Sequence, residues 1–71
     1  MTIDFAKIIR KRREKMGLTQ AALADMALLH RSTIFNYENN NNRMTLDVLM
    51  TILDALGLEL KVVEQEGHRY E

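Results

Sequence analysis

The 71-residue chain contains no cysteine, no proline and no tryptophan, and only three glycines. Without cysteine there are no disulfide staples, no thiol nucleophile and no cysteine-based zinc site. Without proline, no helix is forced to stop for want of an N–H. No apolar run approaches the ~18 residues that cross a bilayer, and the start of the chain lacks a signal peptide's apolar stretch. A reducing cytoplasm is therefore the expected location. Seventy-one residues make one domain with a small core, which association with a second copy would reinforce.

Catalytic constellations are equally scarce. Ser32 is the sole serine, and no histidine–acid pair stands at a spacing that would activate it. His30 and His68 lie far apart, with no second ligand at helical spacing to suggest zinc. Gly17, Gly57 and Gly67 read as element terminators, not as a phosphate loop. The expectation is a protein without enzymatic activity, cofactor or metal.

The formal net charge is zero, but the charges are sorted. Residues 1–38 carry seven basic side chains against four acidic ones, and residues 39–71 carry three against six. A basic front half can meet phosphate while the whole molecule stays neutral.

The pattern predicts four short helices. Asp4 caps the first, which runs to about Met16 with Phe5, Ile8, Ile9, Arg12 and Met16 on or near one stripe, and Gly17 ends it. Thr19 caps a second, Gln20 to Ala27, with Leu23, Ala24 and Ala27 apolar. After a break at Leu28–His30 a third runs from Arg31 to Glu38, with Ile34 and Tyr37 inward. Asn39 to Asn42 form a polar turn, and Thr45 caps a fourth helix that ends at Gly57. Two helices of eight residues joined by so short a turn cannot lie antiparallel, and the steep crossing is that of a DNA-reading helix-turn-helix. The exposed positions of the third helix, Arg31, Ser32, Phe35 and Asn36, are mostly types able to contact bases.

The stretch from Gly17 to Glu38 resembles the helix-turn-helix of the Cro and phage-repressor (Xre-type) family, whose pattern is T-Q-x-x-L-A, a turn, then a short helix closing on glutamate. Thr19, Gln20, Leu23, Ala24, Arg31, Thr33, Ile34, Tyr37 and Glu38 match it, and the resemblance covers Ile8 to Leu60. It departs at Leu28, where the family has glycine, at Ala22, where it often has glutamate, and at Phe35, where a small polar residue is usual. The resemblance implies that Gln20 hydrogen-bonds a phosphate and braces the third helix. It implies backbone contacts for Thr19, Thr33, Asn40 and Arg43, with His30 able to add another, and base reading by Arg31, with Ser32 and Asn36 beside it. Phe35 is expected to meet a thymine methyl from an exposed position, the alternative being that it rolls inward and fills core. Arg13 and Glu38 match a structural ion pair joining the first helix to the end of the third.

Beyond the helices, Leu58–Glu59–Leu60–Lys61–Val62 alternates apolar and polar, a strand signal. A lone strand cannot satisfy its own backbone, so pairing with a second copy is expected. The fourth helix is apolar over an arc wider than one core needs, which assigns part of it to the same contact. Val48, Ile52, Leu58, Leu60 and Val62 are the expected interface. The fold class is thus mainly α, a four-helix repressor-like domain with a C-terminal β-strand paired across a dimer. Residues 1–63 make the DNA-binding and dimerisation domain and residues 64–71 a flexible tail. The helix-turn-helix followed by L-G-L-E-L-K-V looks like the HipB-type antitoxins, which implies a homodimeric repressor of an inverted-repeat operator and a HipA-like kinase toxin as partner. The alternatives are a stand-alone regulator and a protein-binding helical module without DNA binding.

Overall fold

A computed structural model describes residues 3–39 and 44–67. Among them lie four helices: α1 (Phe5–Lys15), α2 (Gln20–Ala27), α3 (Arg31–Glu38) and α4 (Leu46–Ala55). None is long and apolar enough to cross a membrane. Three starts are capped as the sequence predicts. Asp4 accepts from the Lys7 amide at 3.0 Å, Thr19 Oγ1 from Ala22 at 3.0 Å, and Thr45 Oγ1 from Val48 at 3.4 Å. Basic residues Arg12, Arg13 and Lys15 in the last turn of α1 complement its dipole.

Three helices end in the same way. After α1, the Leu18 amide reaches back to the Arg13 carbonyl and the Gly17 amide to Glu14; after α4, Leu58 reaches Leu53 and Gly57 reaches Asp54. After α2, Leu29 reaches Ala24 and Leu28 reaches Asp25. This double hydrogen bond needs a left-handed residue at its pivot. Gly17 and Gly57 supply it at φ 72° and 71°, whereas Leu28 does so at φ 57° and ψ 41°. The turn therefore keeps its shape, and the departure from glycine is absorbed as backbone strain in a non-glycine residue.

The core gathers one stripe from each helix: Ile9 of α1, Leu23 and Ala24 of α2, Ile34 and Tyr37 of α3, and Leu49, Ile52 and Leu53 of α4, with Leu56. Helix α2 packs on α3 and α4, and α1 packs on α3. Arg12 adds a polar tie, its Nε donating to the carbonyl of Leu56 at 2.9 Å. That bond fastens the last turn of α4 to α1.

Two expectations change. Ile52 is fully buried within the single chain, so it is a core residue and not available to a second copy. Val48 is half-buried against that core, and the apolar arc of α4 divides with Leu46 and Met50 outward. The expected strand is also not formed among the described residues. Among the described residues it finds no partner: beyond Leu58 no backbone hydrogen bond joins this segment to the rest of the described structure. Leu58 packs against the core, while Val62 is fully exposed.

Candidate nucleic-acid interface

The face presented by α3 is polar and open because its inward positions are fully used. Ile34, Tyr37 and Glu38 are buried, which turns Arg31, Ser32 and Phe35 outward and leaves Thr33 and Asn36 half-buried. Arg31 and Phe35 stand one turn apart, and Phe35 is 49% exposed. Phe35 therefore lies on the outer face and does not fill core. With Ser32, His30 and Gln20 these two residues line one open concavity, to which no acidic side chain contributes.

Each flank of the concavity is a helix start. Thr19 caps α2 beside Gln20. His30 stands at the start of α3 without capping it, so the first amides of that helix have no side-chain acceptor. An uncapped helix start carries partial positive charge and free donors, a setting that suits an anion. Of the expected backbone-contacting residues, Gln20 and His30 line this concavity, Thr19 precedes Gln20 as the cap of α2, and Thr33 lies farther along α3. Asn40 and Arg43, and the tail at 68–71, lie outside the described residues.

Behind this face sits a buried ionic bracket. Arg13 Nε and Nη2 donate to the two Glu38 oxygens at 2.7 and 2.9 Å, and Arg13 Nη1 donates to the Leu18 carbonyl at 2.7 Å. The Glu38 side chain is 2% exposed and that of Arg13 13%. The hydrogen bond to Glu38 raises the Arg13 pKa above its ordinary value, against the opposing effect of desolvation. Gln20 Nε2 also donates to Glu38 Oε1, at 3.3 Å. One carboxylate thus joins α1, the start of α2 and the end of α3, and the long bond to Gln20 orients its amide beside the concavity.

The bracket changes the charge reading. Arg13 is committed to Glu38, as the sequence pattern implies, and Arg12 to the Leu56 carbonyl, which the pattern does not reveal. Lys7, Arg10, Lys11 and Lys15 remain exposed along α1, and Arg31 on α3.

Residues 9–63 match the helix-turn-helix family model. Among solved structures, the chain is similar to the complex of a HipB serine-to-alanine variant with an O2 20mer, with a TM-score of 0.78 and 29% identity. That match covers 93% of this chain and 94% of the other. No curated protein sequence matches.

Proposed function

The chain belongs to the helix-turn-helix family, of the Cro and phage-repressor (Xre) type, and from that premise we propose that it is a sequence-specific DNA-binding transcriptional repressor. It acts as a homodimer on an inverted-repeat operator and serves as the antitoxin of a HipA-like kinase toxin. The observation that carries the reading is the concavity where the outward residues of α3 meet the start of α2. A shape bounded by two helix starts, with arginine, serine and an exposed ring on its floor and no carboxylate, fits the edge of a major groove between phosphates.

Roles divide by placement. Arg31 reaches guanine O6 and N7, with Ser32 and Asn36 beside it, and Phe35 packs on a thymine methyl. Gln20, held by Glu38, Thr19, His30 and Thr33 bind the backbone with Asn40 and Arg43, and so fix the register without reading sequence. Glu38 and Arg13 position this surface from behind. In the dimer, two copies of α3 stand about 34 Å apart, one helical turn of DNA. The likeness to a HipB complex supports the antitoxin assignment.

The test is binding of fluorescent duplex from the region upstream of the protein's own gene, competed with random duplex, at two salt concentrations. Specific binding exceeds non-specific binding by about 10³-fold or more if the proposal is right. Equal affinities for both duplexes overturn it. Co-purification with the product of the neighbouring gene, scored for kinase activity, tests the antitoxin role separately.

A further inference from the structure

Among the described residues that line the concavity, Phe35 alone is apolar. It is 49% exposed, because Ile34 and Tyr37 take the inward positions of α3. Its backbone is pinned as well: the Phe35 carbonyl accepts from the Asn39 amide at 3.1 Å and from Asn39 Nδ2 at 2.7 Å. A ring rooted in this way keeps apolar surface in water until an apolar group covers it. In the major groove of B-DNA, the apolar group that a base pair presents is a methyl on pyrimidine C5.

Thymine carries that methyl, and so does 5-methylcytosine. The two bases differ beside it, where thymine has the O4 acceptor and cytosine the N4 donor. The polar groups next to Phe35 accept either base. The Ser32 hydroxyl can donate or accept, and so can the Asn36 amide. Arg31, which only donates, stands one turn away, about 6 Å along the helix. No carboxylate lines the concavity to select the cytosine amino group. What this part of the face can weigh is therefore the C5 substituent.

We infer that Phe35 makes the protein a reader of C5-methylated pyrimidine, so that cytosine methylation at the base pair under Phe35 strengthens binding. The inference rests on the DNA-binding function proposed above and adds a means of regulation to it. A half-site with thymine there binds well, one with cytosine binds weakly, and methylation of that cytosine recovers the contact without changing the sequence. Covering one methyl group multiplies affinity about fourfold.

The test uses the full-length chain and the duplex from the region upstream of its own gene, with random duplex as competitor. Each thymine is replaced in turn by deoxyuridine, which removes the methyl alone. One position in each half-site weakens binding about fourfold. At that position, duplexes with cytosine and with 5-methylcytosine are then compared, and the methylated one binds tighter by a similar factor. Phe35→Ser, confirmed as helical by circular dichroism, brings both ratios to one while the preference over random duplex persists. Phe35→Leu, still apolar, keeps both ratios above one. A deoxyuridine scan that is flat, on a duplex that still outcompetes random DNA, overturns the inference and leaves the proposed function standing. So does 5-methylcytosine that binds no better than cytosine, or a methyl ratio that survives Phe35→Ser. A chain that binds upstream and random duplex equally overturns both.

Discussion

Leu28→Gly is expected to stabilise the protein. Leu28 holds φ at 57° as the pivot after α2, in a position that Gly17 and Gly57 fill after α1 and α4. A residue with a Cβ in the left-handed region carries about 1–2 kcal/mol of strain. Glycine removes that strain but adds about 0.5–1 kcal/mol of backbone entropy to the unfolded chain. Leu28 is 92% exposed, so loss of its side chain forfeits almost no burial. The net gain is about 0.5–1 kcal/mol, which for a domain of this size raises Tm by roughly 2–8 °C. Thermal melts followed by circular dichroism, at one fixed protein concentration because dimerisation shifts Tm by mass action, measure it. Leu28→Ala is the control: it trims the exposed side chain but keeps the Cβ. If Leu28→Gly melts at or below the wild-type temperature, or if Leu28→Ala gains as much, the strain argument is wrong.

The bracket behind the interface makes a second expectation. Arg13→Met, which leaves Glu38 charged in the drier position, destabilises by about 2–4 kcal/mol, Glu38→Leu by less, and the double variant by less than Arg13→Met. Urea midpoints measure all three, and shifts of a few tenths of a kcal/mol would mark a solvated pair. Arg31→Ala weakens operator binding by about 1–3 kcal/mol and relaxes the choice at one base pair, whereas Gln20→Ala and Arg43→Ala weaken all duplexes alike. Only Arg43→Ala flattens the salt dependence, since it alone of the last two removes a charge; equal losses on operator and random duplex for Arg31→Ala contradict base reading. Truncation after Gly57 leaves the helices folded but the protein monomeric in sedimentation, and a truncated chain that stays dimeric refutes pairing through the segment.

The helices were legible because their signals are local. Caps at Asp4, Thr19 and Thr45, and glycines at 17 and 57, set limits that agree with the structure to within one or two residues, and α2 and α3 agree at both ends. The Arg13–Glu38 pair was legible only through the resemblance, since nothing in charge spacing joins residues 25 apart. The Arg12 bond left no trace at all, because its acceptor is a backbone carbonyl 44 residues away and any residue at 56 would supply one. Ile52 was misassigned because α4 is apolar over so wide an arc that periodicity cannot separate the side facing the core from the side facing out. The alternation from Leu58 to Val62 carries a strand signal, yet no strand forms there among the described residues, because an extended segment needs backbone partners and this one makes no backbone hydrogen bond to the described structure beyond Leu58.

The tie from Arg12 to the end of α4 bears on how the proposed dimer would measure its operator. The segment leaves the core at Leu58 with no slack, its first amide bonded and its first side chain packed. In the proposed dimer, two rigid bodies joined through two such roots would act as a ruler, not as beads on a tether. Inserting one base pair between half-sites moves the second by about 3.4 Å and turns it by roughly 35°. A tethered pair would absorb that displacement, but a ruler must bend either the duplex or itself. Operators that differ by a single base pair in their spacer should therefore fall sharply in affinity, and Arg12→Met, by loosening both ends of the ruler, should flatten that dependence before it abolishes binding.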